Sequence, residues 1–225
     1  MFEILSDTFS KFYDPFENLA IDDTIISFKG RVIFKQYVPP SPSPPKKDFS
    51  IRIFKLCDLT GYTYDMSAYL GKDRQRMAQH VTATHVTVTE MTRKIEARGQ
   101  KLYMNNFFSS PELFGNLTKK LIYCCGTVRP NRRGISHNLA HKTIKLKWTD
   151  ICIRTRANVM VLLWWDKRDI CMLMNIHDAP AGSNFCNGGG RAINPQIVME
   201  YNRYMGYVNK RNKMANTYSI RQHTI

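Results

Sequence analysis

Lys101-Leu102-Tyr103-Met104-Asn105-Asn106-Phe107-Phe108-Ser109-Ser110-Pro111-Glu112 carries two structural elements and the joint between them. Lys101 to Met104 is a short apolar run that predicts a buried strand, ending where Asn105-Asn106 interrupts it. Ser110 offers a capping hydroxyl, and Pro111 suits a first helical position, where its missing N–H costs nothing. A helix is therefore predicted over Leu113 to Lys120. Outward from this joint, Val86 to Arg98 suits a helix that Gly99 terminates, and Ile122 to Val128 reads as a further strand. Strands alternating with helices place the chain in the mixed α/β class.

Upstream, Leu19 to Ser27 reads as a strand, and Phe28-Lys29-Gly30-Arg31 turns it into the extended piece Val32 to Val38. Five prolines within residues 39–47 then remove backbone donors, which predicts an exposed connection in extended geometry. Phe49 to Leu56 and Tyr62 to Leu70 alternate apolar and polar residues across Thr60-Gly61, the pattern of a hairpin. A short amphipathic segment precedes all of these.

Downstream, Arg129, Arg132, Arg133, Lys142, Lys145 and Lys147 concentrate basic charge ahead of three strand candidates, Ile151 to Arg154, Val159 to Trp165 and Ile170 to Ile176. Residues 132–193 are read as a β-rich subdomain inserted into a core made of 1–131 and 194–225. Gly188-Gly189-Gly190-Arg191 lacks the spacing of a phosphate-binding loop and is read as a loop. Pro195 then opens a helix over Gln196 to Met214, in which Ile197, Val198, Tyr201, Met205 and Val208 recur at helical spacing, with Asn209 near its end.

The chain has 225 residues, 43% of them hydrophobic, enough for one sizeable core. Its formal net charge is +15 and its pI about 9.7. Such an excess of Lys and Arg is attracted to polyanions, nucleic acid above all. No apolar run reaches the roughly 18 to 20 residues needed to cross a bilayer, and the first residues lack the pattern of a signal peptide, so an intracellular protein is expected. The six cysteines have no disulfide-scaffold spacing and are read as buried thiols. Cys125, His137 and His141 approach half of a zinc-finger pattern. The adjacent pair Cys124-Cys125 argues against it, because neighbours on a strand point to opposite faces.

Three segments carry a resemblance to a known family. They are Ile21-Asp22-Asp23 with Phe28-Lys29-Gly30-Arg31, then Lys101 to Ser110, and Tyr201-Asn202-Arg203-Tyr204-Met205-Gly206-Tyr207-Val208-Asn209. Together with Cys124 to Arg132 and Trp165-Asp166-Lys167-Arg168, they resemble the piggyBac transposases over about Leu5 to Ile220. The resemblance implies a ribonuclease-H-like mixed sheet flanked by helices and interrupted by the insertion. It also implies a site in which three aspartates hold magnesium ions for DNA cleavage and joining. Asp22 matches the first of these, whereas Asn105 and Asn209 stand at the second and third. Asp23, Tyr207 and Asn212 also depart from the family pattern, and the chain stops before the family's downstream helices and zinc domain.

Two-metal phosphodiester chemistry needs ions about 3.5 to 4 Å apart, clamped by anionic oxygen. Asparagine keeps the shape of aspartate but carries no charge, so the two replacements reduce the formal charge of the triad from minus three to minus one. No cofactor and no strand cleavage are expected, with Asp22 a weak magnesium ligand at best. Ordinary readings stand beside these: Asn105-Asn106 as a strand-end turn, Asn209 as a solvated helix residue, and Asp22-Asp23 as acids that are solvated or paired with nearby cations. The expected function is nonspecific DNA binding in the nucleus by a catalytically silent, transposase-derived protein, a possible homodimer. Arg129, Arg132, Arg133, Lys210, Arg211 and Lys213 are the phosphate contacts, or simply a solvated basic surface. The alternatives are a residual metal-dependent nicking or strand-transfer enzyme, and a protein-interaction module without DNA binding.

Overall fold

The computed structural model describes residues 2–28, 31–33, 35–37, 49–71, 82–136, 150–165, 169–176 and 195–217. Helix α1 is Phe2–Phe12, and the strands that follow it are β1 (Asn18–Ser27), β2 (Gln36–Tyr37), β3 (Phe49–Asp58) and β4 (Thr63–Ala68). Next come α2 (Ala83–Thr92), β5 (Lys101–Met104), α3 (Pro111–Thr118) and β6 (Tyr123–Thr127). The C-terminal part supplies β7 (Ile151–Arg156), β8 (Val159–Trp165), β9 (Asp169–Met174) and α4 (Gln196–Thr217).

Among the described residues nine strands form one sheet in the order β2-β3-β1-β5-β6-β9-β8-β7, with β4 also paired to β3. Strands β1, β5 and β6 run parallel at its centre, flanked by antiparallel pairs on both sides. A parallel pair cannot be closed by a tight turn, and helices α2 and α3 supply the crossovers. The three strands from the 132–193 stretch continue this same sheet through the β6–β9 pairing.

Side chains alternate between the faces of a strand, and the central strands are buried on both. Leu19, Ile21, Phe54, Leu102, Met104 and Cys124 pack on one side with Val88 and Met91 of α2 and Leu113, Phe114 and Leu117 of α3. Ala20, Cys57, Tyr103 and Cys125 pack on the other with Ile197, Val198, Met205 and Val208 of α4. Cys124 and Cys125 thus sit in different cores, as adjacent strand residues must.

Local chemistry sets the boundaries. Ser110 Oγ accepts the Leu113 N–H at 3.3 Å and caps α3. Helix α2 begins earlier than its apolar spacing implies, because Thr82 accepts the His85 N–H and caps it there. After Thr92 the chain tightens into a 3-10 turn over Arg93–Ile95. In the β3–β4 hairpin, Asp58 Oδ1 accepts from Thr60 N at 2.9 Å and Tyr62 N at 3.2 Å, while Gly61 takes φ +80°. Helix α4 runs to Thr217, past the end expected from its apolar pattern, so position 209 lies within it and not near its end. The extended piece read over Val32 to Val38 contributes only the two residues of β2 among the described residues. The proline-rich segment, His137, His141, Lys142, Lys145, Lys147 and Gly188 to Arg191 lie outside the described residues.

Candidate functional site

The parallel register pairs Ile21 of β1 with Met104 of β5. The next residue on each strand, Asp22 and Asn105, therefore emerges beside the other. Asn105 Nδ2 donates to Asp22 Oδ1 at 2.9 Å. Nitrogen and oxygen of an amide are told apart by their partners, and here the partners decide. Asn105 Oδ1 accepts the Phe107 N–H at 2.9 Å, which turns the NH₂ group toward Asp22.

Asp22 is buried, and no Lys or Arg among the described residues pairs with it. Burial pushes its carboxyl up to about 6, and the negative charge of Asp23 adds to the rise. Asp23 Oδ2 itself accepts from Arg52 Nε at 2.6 Å. The bland reading of adjacent acids, pairing with a cation, thus holds for Asp23 and not for Asp22.

Helix α4 crosses the sheet face from which Ala20 and Tyr103 project. Tyr204 stacks on Tyr103 with ring centroids 4.3 Å apart, and the Tyr201 hydroxyl lies 3.1 Å from Thr127 Oγ1. Met205 and Val208 fill the core beneath. Asn209 follows Val208, is exposed, and makes no hydrogen bond to Asp22 or Asn105 among the described contacts. The structure thus joins two of the three positions directly and carries the third on the helix over the same face.

The donor set does not fit a pair of magnesium ions. A hard dication needs anionic oxygen, yet the group facing the Asp22 carboxylate is an N–H donor. Among the described residues no cluster of three His, Cys, Asp or Glu side chains is placed to hold a metal.

The basic candidates separate into distinct roles. Arg129 and Arg133 are exposed. Arg132 is half-buried and directs its guanidinium into the protein, with Nε on Ser109 O at 2.9 Å and Nη2 on Asn106 O at 2.9 Å and Phe107 O at 2.7 Å. These bonds engage three of the five N–H donors of the residue read from the sequence as a phosphate contact. Lys210, Arg211 and Lys213 lie on α4, and their side chains are outside the described residues.

Two further participants carry no local sequence signal. Arg52 sits over the Phe107 ring at 4.1 Å, and Gly126 lies where a Cβ would stand 2.3 Å from Ser109 Oγ and 2.5 Å from Met104 O. Both press on the turn that presents Asn105. Among the described residues no helix is long and apolar enough to cross a membrane.

Comparison with known proteins agrees with this architecture. The fold superimposes on a piggyBac transposase solved by cryo-EM as a synaptic complex with hairpin DNA, with a TM-score of 0.81 and 24% sequence identity. The match covers 99% of this chain and 45% of that one, so the chain spans less than half of that transposase's length. The ribonuclease-H-like mixed sheet read from the sequence is thereby the fold of this protein. The family described as transposase IS4 matches residues 1–224, and the chain belongs to that piggyBac-type transposase family.

Proposed function

We propose that this protein is a transposase-derived domain that has lost strand cleavage and keeps nonspecific binding to duplex DNA, acting in the nucleus. One observation carries the reading: an amide N–H, oriented by the Phe107 backbone, occupies the side of Asp22 where a two-metal site needs a second carboxylate. The amide nitrogen acts as a neutral substitute for the cation. It satisfies one carboxylate oxygen in a buried site without metal, which stabilises the fold and removes the means of activating a nucleophile.

DNA affinity is assigned to exposed Arg129 and Arg133 together with Lys210, Arg211 and Lys213, supported by the net charge of +15. Phosphate contacts release counterions, so log K falls linearly with log salt by roughly 0.9 per phosphate neutralised. The test is fluorescence anisotropy with duplexes of unrelated sequence across a salt series, beside a nicking assay in magnesium. The expected result is salt-dependent, sequence-indifferent binding with no nicking. Magnesium-dependent nicking abolished by Asp22→Ala would overturn the loss of chemistry, and affinity unchanged by salt would overturn the electrostatic contact.

A further inference from the structure

The turn between β5 and α3 is held from outside by a side chain far away in sequence. Three carbonyls, Asn106 O, Phe107 O and Ser109 O, converge on the guanidinium of Arg132 at 2.7 to 2.9 Å. The planar fork of arginine can serve several acceptors at once, which a lysine ammonium on a flexible stem does not reproduce. Phe107 shares with Asn106 a peptide that is gripped at both ends, its N–H going to Asn105 Oδ1 at 2.9 Å and the Asn106 carbonyl to Arg132 Nη2 at 2.9 Å. Its ring is packed under Arg52 at 4.1 Å. Ser109 Oγ closes the loop by donating to Asn105 O at 3.0 Å.

We infer that Arg132 is a positioning residue for position 105: it fixes the Phe107 peptide, which fixes the Asn105 amide against Asp22. The inference deepens the proposed reading of that site and assigns Arg132 away from the DNA surface. A guanidinium with three of its five N–H donors bonded into its own protein has given up the mobility that a phosphate contact uses and keeps only the Nη1 pair outside those bonds. The adjacent Arg129 and Arg133 remain on the surface. In a chain with aspartate at 105, the same clamp orients the carboxylate, so the device serves either residue.

The test uses the whole chain and two readouts. The side-chain NH₂ signals of Asn105, identified by their loss in Asn105→Asp, and the exchange rate of the Phe107 amide report the turn by NMR. Anisotropy with duplex DNA reports the surface. In Arg132→Lys and Arg132→Met the Asn105 signals are expected to move and Phe107 exchange to accelerate at least tenfold, while DNA affinity changes less than twofold and its salt slope is unchanged. Arg129→Met should do the reverse. Should Arg132→Met be too unstable to study, Arg132→Lys keeps the charge and loses the fork, so it still separates the two roles. Unmoved Asn105 signals in Arg132→Lys, or a reduced salt slope in Arg132→Met, would overturn the assignment. The NMR readout needs neither DNA nor metal, so its failure is distinct from a finding that wild-type protein nicks DNA or ignores it.

Discussion

Restoring aspartate at position 105 should make this protein less stable unless magnesium is supplied. In Asn105→Asp the oxygen that accepts the Phe107 N–H is retained, and the second carboxylate oxygen takes the place of Nδ2, 2.9 Å from Asp22 Oδ1. A hydrogen bond to a charged group, worth about 1.5–3 kcal/mol, is lost. Two carboxylates about 4 Å apart also repel by about 4 kcal/mol at an effective dielectric of 20. Protonation limits that cost, because a pair so close shares one proton well above the usual carboxylate range. A net loss of about 2–4 kcal/mol at pH 8 is expected. For a chain of this length, each kcal/mol moves the melting temperature by roughly 2–4 °C. Thermal unfolding in EDTA at pH 8 should therefore show a fall of roughly 4–16 °C, shrinking at pH 5, where one carboxyl donates to the other. Magnesium at a hundred times its Kd adds back about 2.7 kcal/mol in the variant and leaves wild type unmoved. Equal melting of variant and wild type at pH 8 in EDTA, or equal stabilisation of both by magnesium, would refute the reasoning.

Further outcomes follow from the same geometry. The carboxyl of Asp22 is raised from 3.8 to about 6, so its contribution is complete below pH 3.8 and is lost as pH rises through 6. Asp22→Asn should flatten the decline of stability between about pH 4 and 7 seen in urea denaturation, by at most about 3 kcal/mol. Gly126→Ala should destabilise by about 1–3 kcal/mol, because its Cβ would meet Met104 O at 2.5 Å. Adding Ser109→Ala should relieve that only in part, since the carbonyl clash stays, and chemical denaturation of the single and double variants measures the difference. Ser110→Ala removes the α3 cap and should cost about 1 kcal/mol in the same assay.

Much of the core was legible because its signals are local. The apolar run Lys101 to Met104 needs nothing beyond its own residues to read as a strand, and Ser110-Pro111 announces α3 in the same way. Opposed burial of Cys124 and Cys125 follows from strand alternation alone. What escaped is long-range. Nothing near Arg132 tells that it faces the carbonyls of residues 106, 107 and 109, and a cluster of arginines reads as surface until the turn beside it is known. Helix α2 starts early because Thr82 caps it, a choice that its β-branched and polar residues obscure. Pairing of β9 with β6 is likewise a tertiary outcome, since a β-rich stretch reads equally well as a sheet of its own. The site was legible as positions and not as contacts: the sequence shows Asn at 105, but only the Phe107 hydrogen bond shows which way its amide points.

One flank of the central strand β6 is sealed by a strand made well after it. β6 is covered on its outer side by β9, and Cys125 pairs with Met174, about fifty residues further along the chain. At roughly 5–20 residues per second, a ribosome needs several seconds to deliver that partner. For that interval a nascent chain complete through residue 131 would present the bare hydrogen-bonding groups of β6, the kind of edge onto which foreign strands add. Chaperone demand during translation should accordingly peak before β9 emerges and fall once it has docked.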